Sequence, residues 1–169
     1  MESTTNIANP EYRPVLEGEL ASPDRVSVQF DIKPDGGTLN FIMHDTTDWP
    51  PGSDGRALVK DSEGNTCLAV ERGQDRIFTF SLSPNWRWTF DLKANGPGEP
   101  MTFKKGDAPL YKVTVVSDTQ IEIYAKARPH MPTGTALDLF NLHVLMMQDS
   151  GTPISLRIDP GTRNPPPYP

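Results

Sequence analysis

Thiols are nearly absent from this chain. Cys67 is the only cysteine among 169 residues, so no internal disulfide can form and nothing demands an oxidising compartment. Long apolar runs are missing too. The longest, 139–147, is interrupted by Asn141 and His143 and falls far short of the roughly 20 residues that cross a bilayer. The opening Met1-Glu2-Ser3-Thr4-Thr5-Asn6 has neither basic charge nor an apolar stretch, so no signal peptide is expected. There is no Asn-x-Ser/Thr sequon. A cytoplasmic protein without a membrane partner is the expectation.

Excess positive charge is lacking as well. Lys and Arg total 16 against 22 Asp and Glu, a formal net charge of −6. The basic residues cluster only at Lys104-Lys105 and at the Arg72/Arg76 pair. Nucleic-acid backbones repel such a surface, so no nucleic-acid partner is expected. No Gly-x-Ser-x-Gly elbow, phosphate loop or dinucleotide fingerprint occurs, which removes the usual signatures of hydrolase and nucleotide chemistry. Cys67 lies in a short apolar stretch and reads as a small buried hydrophobe.

Proline is what the chain has in plenty, 18 residues beside 13 glycines. Proline at about twice its usual share cuts a chain often and disfavours long helices. Between the cuts the apolar pattern has period two, the mark of half-buried strands. Val26, Val28, Phe30 and Ile32 alternate with Ser27, Gln29, Asp31 and Lys33. Asp35-Gly36-Gly37 then supplies a tight turn into Leu39, Phe41 and Met43, so 25–44 reads as a hairpin. Phe78, Phe80 and Leu82 share a face. Trp86, Trp88, Phe90 and Leu92 alternate most cleanly and read as core. Residues 94–109 read as irregular. The segments 110–116 and 120–125 flank Ser117-Asp118-Thr119 as a second hairpin. Residues 136–148 fit either a strand or a helix, with strand–turn–strand favoured by the alternating Ile154, Leu156 and Ile158 that follow.

About nine short strands without helical interludes predict an all-β protein. The expected form is a single β-sandwich, Ig-like in the broad sense. An extended N-terminal arm is expected over 1–24, the sandwich over 25–159, and a Pro-rich C-terminal arm over 160–169.

The last third carries a resemblance. Leu137-Asp138-Leu139-Phe140-Asn141-Leu142-His143-Val144, then Asp149-Ser150-Gly151, then Ile158-Asp159-Pro160-Gly161-Thr162-Arg163-Asn164 is similar to the closing segment of small bacterial proteins. These are described as DP-EP family, nucleotide-synthetase-like or inclusion-body-type. The likeness covers about 30 residues and implies an all-β sandwich. It implies no firm activity and assigns no catalytic residue.

Four groups of residues stand out. His44, Asp45 and Asp48 could ligate Ca²⁺ or Zn²⁺ from one loop, although their spacing matches no calcium-loop pattern. Calcium is the one cofactor left open. Trp49, beside Pro50-Pro51, could anchor a partner or a sugar. Asp159, Pro160 and Asn164 read as a turn, with Asp accepting backbone N–H bonds and Pro fixing φ. Pro165, Pro166, Pro167 and Tyr168 spell Pro-Pro-x-Tyr, suited to a polyproline II arm that meets a protein partner or a second subunit. The first expectation for function is a non-catalytic binding or assembly protein that self-associates or takes a protein partner. A carbohydrate-binding module with a calcium-dependent loop, and a small hydrolase or nucleotide enzyme, are the alternatives.

Overall fold

The computed structural model describes residues 12–129 and 136–164. The alternating segments form twelve strands: β1 (Asp24–Asp35), β2 (Thr38–Asp45), β3 (Leu58–Lys60), β4 (Thr66–Ala69), β5 (Arg76–Leu82), β6 (Trp88–Phe90), β7 (Met101–Lys105), β8 (Tyr111–Ser117), β9 (Gln120–Ala125), β10 (Leu137–Met147), β11 (Pro153–Ile158) and β12 (Gly161–Arg163). One 3₁₀ turn, Ala108–Leu110, is the sole helical element among the described residues. No helix there is long and apolar enough to cross a membrane.

Two mixed sheets pack as a sandwich. The first has the order β2-β1-β5-β9-β8. Its β1–β5 pair is parallel, with Val28 opposite Phe80, and the other pairs are antiparallel. The second is built around β10. On one side β10 pairs with β11 and then β12 in one continuous register, Leu142 opposite Ile158 and Leu139 opposite Gly161. On the other side it pairs with β6 and β7. β12 continues in parallel to β4, and β4 pairs antiparallel with β3.

The core follows the period-two pattern. Val26, Val28, Phe30, Phe78, Phe80, Ile121 and Ile123 are buried on the first sheet, facing Phe90, Phe103, Phe140, Leu142 and Val144 of the second. Burying side chains of this size contributes about 1.5–3 kcal/mol each. Trp88 is 4% exposed and lies flat over Phe41, ring centres 6.2 Å apart. Trp86 and Leu92, expected on the same buried face, are only half-buried against the core's edge.

Residues 136–148 resolve as strand. Two strands fall where none was expected. β7 lies in the stretch read as irregular, because Pro100 and Gly106 bracket only five residues of pattern. β12 lies beyond residue 159, in the stretch read as an arm, because Gly161-Thr162-Arg163 holds no apolar side chain. It is nonetheless a sheet member, and Thr162 is buried. The preceding arm is partly ordered by backbone bonds, Tyr12 to Phe103 and Glu17 to Pro109.

Candidate functional site

The loop after β2 is organised by one carboxylate. Asp45 Oδ1 accepts the Thr47 N–H at 3.0 Å. Its Oδ2 accepts the Trp49 indole N–H at 3.0 Å and the Ala57 N–H at 2.9 Å. Desolvation works to raise this carboxyl, but the bonds from Trp49, Ala57 and Thr47 outweigh it and hold it below its ordinary value. The indole ring covers Gly55 so closely that a Cβ there would overlap it. Asp45 and Trp49 therefore come together as a loop clasp, with Trp49 packed against the core. His44 and Asp48 stay exposed. Among the described residues no three His, Cys, Asp or Glu side chains gather as a metal site.

A second polar assembly was not foreseen as a unit. Asp138 is fully buried at the start of β10. Arg128 grips its carboxylate with two bonds, 2.9 and 2.7 Å. The Tyr111 hydroxyl donates to the same carboxylate, and the Asp107 N–H adds a bond of 3.1 Å. Asn164, also fully buried, donates to the Tyr111 hydroxyl (3.1 Å) and to the Lys126 carbonyl (2.9 Å). It accepts the Arg128 N–H at 3.1 Å. Burial and the adjacent Asp138 charge push the Tyr111 hydroxyl well above its ordinary pKa. Burial disfavours the Arg128 charge, yet the bonds and charge of Asp138 overcome this and raise its pKa. The sequence did carry a signal. Asp138 shares its strand face with Phe140, Leu142 and Val144, so a charge stood on the apolar side. Arg76 does the same on the face of Phe78 and Phe80. It is 2% exposed, bonds Asp24 through two nitrogens, and donates to the Arg56 and Ala69 carbonyls at 2.6 Å each. These networks tie elements together.

One open feature is a cleft of about 690 Å³ beside β2, which among the described residues ends its sheet. Phe41, Ile42, Met43 and His44 form one wall. Cys67 and the turn before it, with Leu139, Asp159 and Gly161, form the other. Asp61 on this rim accepts the Glu63 and Asn65 N–H groups; the Asn65 bond is the main cause of its lowered pKa. Asp159 pairs with Lys104 at 2.5 Å. Pro160 is buried where β11 gives way to β12. Burial raises the Cys67 thiol pKa, which leaves it less reactive. The cleft thus gathers His44, Asp159 and Pro160 from the residues singled out in the sequence. Asn164 belongs to the buried network, and Pro165, Pro166, Pro167 and Tyr168 lie outside the described residues. No protein-family model matches the chain, and no curated protein matches it.

Proposed function

We propose that this chain is a non-catalytic binding or assembly protein that works through the open side of its sandwich. One observation carries the reading: half-buried Phe41, Ile42, Met43, Leu137 and Leu139 form the apolar part of the cleft beside β2, while the carboxylates near it already hold structural partners. Asp45 clasps its loop, Asp61 its turn, and Asp159 meets Lys104. A site of this kind suits apolar and main-chain contacts better than proton transfer. The carbohydrate reading finds less support, because the Trp49 ring covers Gly55 and its N–H is engaged by Asp45.

The test combines mass and turnover. The purified chain is measured by light scattering over a wide concentration range. It is also incubated with chromogenic carboxyl esters, phosphate esters and glycosides. Mass above the monomer without turnover is the expected result. Turnover that His44→Ala or Asp159→Asn abolishes would replace the reading with an enzyme.

A further inference from the structure

We infer that β2 is a self-pairing edge: two copies of this chain join antiparallel through Thr38–Asp45, about a two-fold axis at Ile42. The inference rests on the assembly reading above and names its surface.

Exposed strand edges carry rows of unpaired main-chain groups, and proteins normally guard them with charge, proline, bulges or cover. The other edges of this sandwich show such guards. β3 is three residues long and ends in Lys60. β8 carries Lys112 and a register break between Val115 and Ser117. β11 begins with Pro153 and carries Arg157. β7 is bridged by Tyr12, and the β6 edge donates its Phe90 N–H to Asp118. β2 is different. It runs eight residues in unbroken register with β1 and holds no proline, lysine, arginine or bulge.

The ladder shows which groups face outward. Gly36 and Gly37, at φ +57° and +86°, make a two-residue turn closed by Asp35 opposite Thr38. In such a hairpin the closing pair is hydrogen-bonded, and bonding then alternates. Thr38, Asn40, Ile42 and His44 therefore bond β1, and the Thr46 N–H bond to the Ser27 carbonyl keeps the same phase. The main-chain groups of Leu39, Phe41 and Met43 point to the open edge. Four consecutive residues, 41–44, line the cleft. Side chains alternate between faces, so a cavity touching four in a row meets the strand's edge.

Only an extended chain satisfies a row of donors and acceptors at this spacing. The chain's own β2 has the right row in the right order. About Ile42, Phe41 faces Met43 of the second copy, and the reverse contact repeats it. This buries two half-exposed side chains in sulfur–aromatic contact. Leu39, 44% exposed, gains cover opposite Asp45 of the second copy. Asn40 faces His44 of the second copy, so no like charges meet across the new ladder. The shared net charge of −6 opposes approach at long range, so added salt strengthens the pairing.

The experiment places cysteine on the proposed axis. Residues facing each other in a non-hydrogen-bonded antiparallel pair lie about 4.5 Å apart at Cα, within disulfide range. Ile42→Cys and, as a control on the exposed β11 edge, Ser155→Cys are oxidised with oxidised glutathione, and cross-linked dimer is followed with time. Pairing through β2 makes the Ile42→Cys dimer form at least about tenfold faster, through raised effective concentration. In the chain without added cysteine, Ile42→Lys lowers the dimer fraction and leaves thermal melting close to the parent. Cross-linking no faster than the control overturns the inference. So does a dimer that survives Ile42→Lys, or one lost on removing 165–169 alone, which would put assembly in the C-terminal arm. In the last two cases the assembly reading itself stands, whereas turnover on the substrate panel would sink both.

Discussion

Replacing Asp138 with asparagine isolates the energetics of the buried network. The shape of the side chain is kept, but the charge that faces Arg128 is removed. Arg128 is 10% exposed and Asp138 is fully buried. Breaking a buried pair by neutralising one partner costs about 3–5 kcal/mol, because the other charge stays buried. Two features set the place within that range. Arg128 keeps Asp107 at 2.9 Å, whose side chain is 63% exposed and gives a screened attraction. The new amide, in contrast, turns an NH₂ toward an Arg128 donor in either orientation, beside the Asp107 N–H in one and the Tyr111 hydroxyl in the other, which leaves at least one donor facing another. The expected loss is about 3 kcal/mol, a large part of the roughly 5–15 kcal/mol that holds a domain together. Urea melts followed by tryptophan emission report it directly, with Arg128→Met and the double variant completing a cycle. The double variant should recover part of the loss, since no orphaned charge remains. A loss below about 1 kcal/mol in Asp138→Asn would show that the pair is hydrated and that the network does not hold the fold.

The remaining predictions concern pH, the core and the loop. Tyr111 has its pKa raised in the fold, so its contribution is complete below the unfolded value near 10 and falls as pH rises toward the folded value; Tyr111→Phe should flatten the loss of stability above about pH 10 in melts taken across alkaline pH. Trp88→Ala should cost about 3–5 kcal/mol through lost burial and the cavity beneath Phe41, read from denaturant midpoints. Asp45 is held low, so its share of stability is present above about pH 4 and lost as pH falls through the lower folded value; Asp45→Asn should therefore weaken the acid limb of the melting curve. Because Asp45 already accepts three N–H bonds, millimolar calcium and EDTA should give the same melting temperature, and a rise with calcium would establish the loop as a metal site.

Strand identity was legible wherever one face meets water. β1, β5 and β9 each show clean alternation, and each lies with one face on the core. The pattern failed at two strands, β7 and β12. β7 carries five residues between breakers, and β12 is defined by its pairing with β10 and β4 and by no feature of its own residues. The parallel pairs β1–β5 and β12–β4 are tertiary choices that local pattern does not encode. Buried charge was half legible: Asp138 and Arg76 stood on apolar faces in the sequence, but their partners, Arg128 and Asp24, lie 10 and 52 residues away. The loop at 44–49 stands out for its acids, and one of them, Asp45, serves the loop itself. A carboxylate one or two residues from free backbone N–H groups bonds them before it can serve a ligand.

The edge at β2 could not be read from its own residues. Thr38-Leu39-Asn40-Phe41-Ile42-Met43 looks like any hairpin arm until its neighbours are known. Its meaning comes from comparison within one molecule. Five other strand edges in the same sandwich, β3, β6, β7, β8 and β11, are short, charged, broken or covered, and each device costs some sheet stability. A chain that guards those edges and leaves an eight-residue strand plain has one surface with different demands. The cleft agrees with this, since it opens along that strand and exposes its main chain. The test at Ile42 therefore asks more than whether a dimer forms. It asks whether the missing guard on one edge and the guards on the others have a common physical cause, the need for these sheets to pair in one place only.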